Sequence, residues 1–486
     1  PPERVAAGTC QPFWLSLRVP AEAKPGTYRG SVAVQAEGTE AMALPIEVEV
    51  IGWRIPGPLE FQSIVESEQS PYGIAKAYKV APWSEEHWRL MEESFRQLAR
   101  LGADVLFVPV LLRSEFGNRE DSSMIKWIRG KGGTLRFDYT VLDRYLDLAV
   151  KHWGTPRVIC FQIMQGCPSE SHAVKVLDEA AGKEEAVDVG PNAAATRRPL
   201  WRAFGTSVLE HMRQRGMEQS VYWGHAFDMV VDPGLVRLMA EFAPGVYWAA
   251  GAHARKPDAT FRAVARSYGS DITDRSAMGW KNPFVHLVMP RTNGSVICVE
   301  GTSTPYTYRV LCDRGIYGGF NGPGRMGADY FDLAWFDGFR GGQYLLVGRS
   351  CVQTLWPGPS GAETSARNEA MLEGLQEAEA RIFLEQALDR KRLPEALAAE
   401  VRGVLDTHFR GALHIPAGTA ALTMMDVSGD WQARSRTLFA TAAKAAEAVG
   451  IDVDKTEIGA EKVQLVFDGR EQTTQSREGV PLPALG

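Results

Sequence analysis

The sequence predicts an α/β protein whose central part is a (β/α)8 TIM-like barrel. After residue 58, short apolar runs alternate with helical stretches, the pattern of successive βα units around a parallel sheet. Eight strand candidates can be counted there. None is followed by a GxGxxG or GxxxxGK[ST] motif, which disfavours a doubly wound open sheet. A chain of 486 residues accommodates one barrel of about 250 residues with smaller parts on both sides.

Residues 1–54 predict a portion of a β-sandwich. Period-two alternation indicates strands at 13–19, 28–34 and 44–51. Because three strands hardly form a stable sandwich, we expect its other strands to come from a part of the protein that precedes residue 1. The segment 56–58 (PGP) is a rigid linker to the barrel.

The barrel is predicted over residues 58–350. Its strands are expected at Phe61–Glu66, Asp104–Val110, Arg157–Ile163, Ser220–Phe227, Val246–Ala252, Asp271–Thr273 or Phe284–Met289, Ser295–Glu300 and Tyr317–Phe320. Ser84 is suited to cap a helix over 84–101, since two acidic residues follow it in the first turn. Further helices are expected at 140–152 and 199–215, and another is expected to open at Asp232 with Pro233 in its first turn. A β-hairpin is expected within 165–197.

The C-terminal part is predicted to be a helical region over residues 360–470. Residues 365–388 carry apolar positions at helical spacing. Residues 471–486 are polar and rich in Pro and Gly, and we expect a loosely held tail.

Composition excludes several classes of protein. Apolar residues make up 45% and charged residues 23% of the chain, which is typical of a globular protein. The longest clear apolar run, Val105–Leu112, has eight residues, whereas a membrane helix needs about 20. The net charge of −6 gives no basic footprint for nucleic acid. The six cysteines form no CxxC pair, and no cofactor is indicated.

Two carboxylates at predicted strand ends form the sharpest pair of candidate catalytic residues, Asp228 and Glu300. Active sites of (β/α)8 barrels lie at the carboxyl ends of the strands. Glycoside hydrolysis requires two carboxyl groups facing one site. The alternative is structural: Glu300 would form a buried ion pair with an arginine such as Arg291 or Arg325, and Asp228 would cap a turn.

Other polar and aromatic residues near strand ends are candidate substrate-binding residues. Tyr222 and Trp248 could stack on a sugar face, with core packing as the alternative. Hydroxyls or an acidic group of a sugar would be bound by His225, His253, Arg255, Arg291 and Asp329. The two histidines with a carboxylate would also suit a metal, but no HxH or HExxH motif supports this. Polar residues also end the first strand, at 66–68, and follow the last, at 321–330.

Three segments together resemble glycoside hydrolase family 123-like proteins. Residues 14–30 (WLSLRVPAEAKPGTYRG) resemble the last strands of the β-sandwich that precedes their barrel. Residues 327–330 (GADY) resemble a late barrel segment, and residues 365–379 (SARNEAMLEGLQEAE) resemble the helix that follows it. The order and spacing of the three segments cover roughly residues 10–390.

The resemblance implies a sandwich, a barrel, a C-terminal helical part and a secreted or periplasmic enzyme of carbohydrate metabolism. The characterised family removes β-linked N-acetylgalactosamine; the substrate's acetamido group is the nucleophile, an Asp steadies it and the next Glu is the acid. Here Asp228 is followed by Met229, which cannot donate a proton. Glu300 is therefore the leading candidate for the acid, and the family's substrate is not carried over.

The sequence leaves three functions open. The first is a glycoside hydrolase that cleaves a glycan with the pair Asp228 and Glu300. The second is a carbohydrate-binding barrel that has lost catalysis, as Met229 suggests. The third is a metal-dependent hydrolase. The sequence does not give the sugar, the linkage, the stereochemical course or the oligomeric state.

Overall fold

The computed structural model describes residues 8–10, 13–114, 116, 123–164, 172–225, 231–252, 255–266, 278–288, 305–331, 353–413, 430–450, 462–467, 470–475 and 478–481. The chain divides into two compact units. One consists of residues 1–55, 380–408 and 430–486, and the other of residues 56–379 and 409–429. None of the helices among these residues is long and apolar enough to cross a membrane.

The strands and helices are as follows. The strands are β1 Ser16–Arg18, β2 Gly26–Val34, β3 Met42–Val50, β4 Ser67–Glu68, β5 Val105–Pro109, β6 Lys126–Arg129, β7 Leu135–Asp138, β8 Val158–Gln162, β9 Ala173–Asp178, β10 Lys183–Asp188, β11 Val221–His225, β12 Tyr247–Ala252, β13 Phe261–Arg266, β14 Val285–Val288, β15 Gly322–Pro323, β16 Met326–Gly327, β17 Trp356–Gly358, β18 Gly361–Glu363, β19 Lys462–Phe467, β20 Arg470–Gln475 and β21 Glu478–Pro481. The helices are α1 Pro71–Tyr78, α2 Glu85–Arg100, α3 Thr140–Trp153, α4 Ala194–Gln214, α5 Pro233–Phe242, α6 Pro305–Tyr317, α7 Ala366–Asp389, α8 Glu395–Leu413 and α9 Trp431–Val449.

A curled sheet of seven parallel strands is the centre of the second unit. Its strand order is β15, β14, β13, β12, β11, β8, β5. Every residue of β5 and β8 is buried, because a parallel sheet is covered on both faces. The inner face encloses a hydrophobic core whose members are Ile64, Val105, Phe107, Phe116, Val158, Cys160, Ala249, Ala263, Ala265, Leu287 and Tyr330.

Residues 64–68 bond to segments at both edges of this sheet. On one side, the Val65 carbonyl oxygen accepts a hydrogen bond from the Asp104 N–H at 3.1 Å. On the other, the Ile64 N–H donates to the Asn321 carbonyl oxygen at 3.0 Å, and the Glu66 N–H donates to that of Pro323 at 3.1 Å. The strand predicted at Phe61–Glu66 therefore ends two residues later than predicted, at the end of β4. Strand β4 pairs in parallel with β16.

Two predictions for the later strands are wrong. Tyr317 ends helix α6, so the strand predicted at Tyr317–Phe320 is replaced by β15 a few residues later. Strand β13 was not predicted, because Arg262 and Arg266 interrupt its apolar pattern. Of the two alternatives for the sixth strand, Phe284–Met289 contains β14. If residues 64–68 are counted as the first strand, β14 is the seventh in chain order. The other alternative, Asp271–Thr273, and the predicted strand Ser295–Glu300 lie outside the described residues.

Several other predicted elements are confirmed. Helix α2 begins after Ser84, whose hydroxyl accepts a hydrogen bond from the His87 N–H, and Gly102 follows its end. Helix α5 begins with Pro233 after the cap Asp232, which accepts the N–H groups of two residues of its first turn. The predicted hairpin is formed by β9 and β10, and these strands join β6 and β7 in a four-stranded sheet.

Helices α6 and α7 approach each other closely within the second unit. A Cβ atom on Gly374 would lie 1.7 Å from the carbonyl oxygen of Arg309, so only glycine fits at this position. The Arg309 guanidinium pairs with Glu377 at 2.8 Å, one turn further along α7. Both side chains are buried, so the contact holds the two helices in one register.

The other unit contains two small sheets and a helical core. Strand β2 lies between β3 and β21, and β19 lies between β1 and β20. Residues 462–481, for which the sequence predicted no strands, thus supply three strands: β19 pairs with β1, β21 pairs with β2, and β20 pairs with β19. Its core packs Trp53 against α7, α8 and α9; Trp53 stacks on Phe383 with ring centroids 5.5 Å apart.

Candidate active site

In (β/α)8 barrels the substrate binds at the carboxyl ends of the parallel strands. Four of the predicted site residues are not described by the structure: Asp228, His253, Arg291 and Glu300. Strand β11 ends at His225, three residues before Asp228. The remaining predicted residues, Tyr222, His225, Trp248, Arg255 and Asp329, can be assigned a place.

Tyr222 and Trp248 lie near the amino ends of their strands. Tyr222 is the second residue of β11 and packs against the inner core, with its ring 6.1 Å from that of Tyr247. Trp248 is the second residue of β12 and packs on Phe261 with ring centroids 5.8 Å apart. Both aromatic residues are therefore at the opposite end of the strands from the expected sugar site.

Arg255 and His225 do not face the inner core of the sheet. The Arg255 guanidinium lies 4.2 Å from the ring centroid of Phe261, at the amino end of β13, and contacts Asp258 at 3.4 Å. His225 is the last residue of β11 and is 1% exposed. By alternation it shares the outer face of the strand with Trp223, whose ring lies 6.1 Å from Phe204 of α4.

Asp329 is buried at the start of helix α1 rather than in an open site. Its Oδ1 accepts a hydrogen bond from the Ser70 N–H at 2.6 Å, and Ser70 is the cap residue of α1. Burial raises the pKa of Asp329 to about 6, against the lowering effect of the Ser70 N–H and the Ser94 hydroxyl. Asp329 therefore anchors α1 to the segment after β16.

The carboxyl end of residues 64–68 carries a charged cluster, which we call the strand-one cluster: Glu66, Glu68, Arg325 and Tyr330. Glu66 Oε1 accepts a hydrogen bond from the Arg325 N–H at 3.0 Å. Glu68 Oε1 lies 3.7 Å from Nε of Arg325, and its Oε2 accepts a hydrogen bond from the Tyr330 hydroxyl at 3.3 Å. Arg325 adopts a left-handed backbone conformation, with φ +53°, which directs it into this cluster.

Burial raises the pKa of both carboxyls in the strand-one cluster. Desolvation, reinforced by the Glu68 charge, raises the pKa of Glu66 from 4.5 to about 8, although the Arg325 N–H and charge oppose it. Desolvation raises the pKa of Glu68 to about 7, against Arg325 and the Tyr330 hydroxyl. Around neutral pH the cluster therefore holds a proton on Glu66, and such perturbed groups are typical of functional sites.

Gln162 contributes a second unusual polar group at the carboxyl end of β8. It follows Val158 and Cys160 on the face of the strand that lines the inner core. Gln162 is 1% exposed, and its Oε1 accepts no hydrogen bond from any residue that the structure describes. A buried amide oxygen of this kind is costly unless a ligand or water supplies a donor.

A cavity of about 80 Å³ lies beside the ends of β5 and β8. Its walls include Leu111, Ile163, His172 and the ion pair between Arg197 and Asp232. The cavity is largely apolar, and the two charges in its wall neutralise each other. Asp232 in this wall is also the cap residue of α5.

A metal centre is not formed by the residues with described positions. Among them, no three His, Cys, Asp or Glu side chains are grouped as a metal ion would require. His225 faces away from the inner core, and its expected partners His253, Asp228 and Glu300 are outside the described residues. The metal-dependent reading thus stays a prediction without a described ligand set.

Sequence reasoning did not select the strand-one cluster as a site. Glu66 and Glu68 were noted as the polar end of the first strand and Arg325 as part of the last loop. Their contact joins residues about 260 positions apart, which no local pattern indicates. The i, i+2 spacing of two glutamates directly after the apolar pair Ile64 and Val65 is the signal that could have selected them.

Two comparisons with known proteins gave a match. Residues 69–230 match the family model of the glycoside hydrolase 123 catalytic domain. The fold is similar to that of a family 123 glycoside hydrolase from Clostridium perfringens, whose structural analysis concerned glycolipid glycan hydrolysis. The identity is 17%, the TM-score is 0.67, and the alignment covers 89% of this chain and 78% of that one. Comparison with curated proteins gives no match.

Proposed function

We propose that the chain cleaves glycosidic bonds at the carboxyl ends of its parallel strands, because residues 69–230 match the glycoside hydrolase 123 catalytic domain. The matched domain makes the chain a glycoside hydrolase, and its substrate is a carbohydrate. The family match carries this conclusion. The strand-one cluster supports the location, since its perturbed carboxyls lie at the carboxyl end of residues 64–68, where the Glu66 N–H bonds to Pro323 at the end of β15.

The proposal includes a complete eight-stranded barrel. Residues 64–68 hydrogen-bond to the segment before β5 on one side and to residues 321–323 on the other. These bonds support closure of the seven-stranded sheet through one further strand. A closed barrel has its eight strand ends around one opening, so carboxylates from strands far apart in sequence can face one substrate.

We assign the two catalytic carboxyls to Asp228 and Glu300. Asp228 follows β11 by three residues, which supports a position at the carboxyl end of the sheet. Glu300 would donate its proton to the glycosidic oxygen as the bond to the anomeric carbon breaks. Asp228 would stabilise the developing positive charge, activate water or attack the anomeric carbon. Met229, which follows Asp228, has no proton to donate, so the acid must come from another strand.

The separation of the two carboxyl groups determines the stereochemical course. A separation of about 5–5.5 Å favours retention through a covalent intermediate, and about 6.5–9.5 Å favours inversion with water between the carboxyls. A route assisted by a neighbouring acetamido group of the substrate would give retention regardless of this distance. His253 and Arg291 remain proposed ligands of sugar hydroxyls at the same opening.

Hydrolysis of a panel of 4-nitrophenyl glycosides tests this function. We expect Asp228→Asn and Glu300→Gln each to lower kcat/KM by about 100-fold or more for the substrate that the unmodified protein hydrolyses fastest. Glu184→Gln on the exposed hairpin strand β10 is the matched control and should keep full activity. Unchanged activity in both test variants would refute the assigned pair, and absence of turnover with glycan binding would favour a binding protein.

A further inference from the structure

The cavity at the ends of β5 and β8 lies on the helix side of the parallel sheet, opposite to the inner core. Ile163 in its wall directly follows β8 and continues the face of Phe161, whose ring lies 6.4 Å from that of Phe204 in α4. The rest of the wall includes both ends of the hairpin of β9 and β10 as well as α4 and α5, which supply His172, Val189, Arg197 and Leu235. The cavity is therefore separate from the strand-one cluster.

The size of the cavity limits what it can bind. Since a cavity of about 150 Å³ binds benzene, the volume of about 80 Å³ found here has room for about three or four non-hydrogen atoms. Most of the wall is aliphatic, with Leu111, Ile163, Val189 and Leu235 as its buried members. Pro191 is exposed and His172 and Asp232 are half-buried, so a ligand can enter at this part of the wall.

One buried hydrogen-bond donor in the wall lacks an acceptor. Arg197 is 8% exposed, and its guanidinium pairs with Oδ2 of Asp232. The Oδ1 atom of Asp232 accepts the N–H groups of Gly234 and Leu235 at 2.8 and 3.2 Å, so both carboxylate oxygens are in use. The Nε–H of Arg197 is buried and meets no acceptor among the residues that the structure describes. Such a donor is costly until an oxygen atom of a ligand or of water accepts it.

The charges in the wall favour a neutral ligand. The Asp232 carboxylate compensates the Arg197 guanidinium, so an anion gains little from the arginine and is repelled by the aspartate. A cation would meet the arginine in the same way. An aliphatic wall with one free N–H donor instead suits a short carbon chain that carries one oxygen acceptor.

We propose that this cavity binds a short neutral group with a carbonyl or hydroxyl oxygen, which accepts the Nε–H of Arg197 while its carbon atoms pack on Leu111, Ile163 and Leu235. The group is either a substituent of the carbohydrate substrate or a separate small molecule, because both present the same chemistry. The site goes beyond the proposed hydrolase function and does not depend on it.

Titration with acetone, followed by NMR of labelled Ile, Leu and Val methyl groups, tests the site. Acetone has one carbonyl oxygen and three carbon atoms, and it should shift the methyl signals of Leu111, Ile163, Val189 and Leu235 with a Kd on the order of 10 mM. Acetate has a similar size but carries a charge, and it should bind at least about tenfold more weakly. Xenon, which enters apolar cavities without hydrogen bonds, should shift the same signals.

Two substitutions separate the hydrogen bond from the apolar contacts. Arg197→Lys keeps a cation beside Asp232 but removes the Nε–H, so the affinity for acetone should fall about tenfold while the affinity for xenon stays the same. Leu235→Trp fills the cavity and should abolish binding of both probes, whereas the control Leu235→Met conserves the side-chain volume and should bind both. Ile163→Phe fills the cavity from another wall and replaces Leu235→Trp if that variant does not fold.

The KM for the fastest panel glycoside in the filled variant distinguishes the two sources of the group. A rise of about tenfold assigns the group to the substrate, and an unchanged KM with lost acetone binding assigns it to a separate molecule. Three results would overturn the site: no methyl response at about ten times the expected Kd, equal acetone affinity in Arg197→Lys, or tighter binding of acetate than of acetone. Absence of turnover for every panel glycoside would refute the proposed function alone, since the NMR titration does not require turnover.

Discussion

Buried glutamates contact both ends of the segment 61–68, but the number of hydrogen bonds that they accept differs. At the amino end, Glu379 of α7 accepts hydrogen bonds from the Gln62 N–H at 3.1 Å, the Ser63 N–H at 2.9 Å and the Ser63 hydroxyl at 2.7 Å. At the carboxyl end, Glu66 accepts one hydrogen bond from a described residue, from the Arg325 N–H. Both glutamates are more than nine-tenths buried.

The difference separates a carboxylate that stabilises the fold, Glu379, from one whose protonation is perturbed, Glu66. Three donors compensate Glu379 for the loss of water, so it fastens α7 to the first strand. Glu66 is compensated incompletely, and its pKa rises to about 8. A buried carboxyl that keeps its proton at neutral pH carries no charge for an ion pair, but its O–H can donate a hydrogen bond. The following variants are expected to break or sharpen this contrast.

Glu379→Leu should have the largest effect. It leaves the N–H and the hydroxyl of Ser63 buried without this acceptor and removes the part-buried bond to the Gln62 N–H, so the free energy of unfolding should fall by about 4 kcal/mol. Urea denaturation measures the loss. The control Glu379→Gln retains one acceptor oxygen and should lose about half as much. A loss below about 1 kcal/mol for the leucine variant would contradict the fastening role of Glu379.

Arg325→Met should destabilise the protein in a manner that depends on pH. At about pH 8, where Glu68 is ionised, loss of the guanidinium leaves a buried charge and should cost about 3 kcal/mol. At about pH 5 Glu68 is protonated, and the cost should fall below about 1 kcal/mol. Denaturation at the two pH values checks this, with Arg325→Lys as the charge-preserving control; equal losses at both would refute the pairing with Glu68.

Glu66→Gln should stabilise the protein in mildly alkaline solution. Between the unfolded pKa of 4.5 and the folded value of about 8, the unfolded chain releases a proton that the folded protein keeps. Stability of the unmodified protein therefore falls as the pH rises through this window, and glutamine removes that contribution. We expect a gain of about 2 kcal/mol at about pH 8, because part of the shift belongs to the coupled pair. The gain should vanish at about pH 4, and a pH-independent difference would contradict the raised pKa.

Tyr330→Phe should have the smallest effect. Its hydroxyl donates to Glu68 over 3.3 Å, so its removal should cost about 0.5 kcal/mol and raise the pKa of Glu68 slightly. Thermal unfolding measures the cost. Tyr139→Phe, which loses a 2.9 Å hydrogen bond to Ser207, is the comparison and should lose more. A reversed order would mean that the Tyr330 hydroxyl contributes more to the cluster than its distance indicates.

The strands that the sequence predicted best are those with unbroken apolar runs. Strands β5, β8, β11 and β12 lie within their predicted spans, because burial on both faces demands such runs. Strand β13 escaped prediction because two arginines occupy it, and one of them, Arg262, places its guanidinium over the ring of Tyr247. Strand β15 has only two residues, Gly322 and Pro323, which are too few to show the alternation of apolar and polar residues that identifies a strand.

The candidate site was predictable only in its location. Sequence order identified the strand ends, and Glu66 and Glu68 were among them. The property that distinguishes these glutamates is burial beside Arg325, which depends on how the last loop folds back onto the first strand. In contrast, Asp329 looked equally suitable in sequence, yet the fold uses it to hold the start of α1.

The close approach of α6 and α7 at Gly374 has a consequence for how this chain can vary. A Cβ at this position would lie 1.7 Å from a backbone carbonyl oxygen. Because the obstacle is backbone and not a flexible side chain, no change of rotamer can relieve the clash. Apolar contacts between the two helices can, in contrast, be exchanged for other apolar side chains of similar volume. In a saturation library, position 374 should therefore accept no alternative residue, although it touches neither a sugar nor a proton.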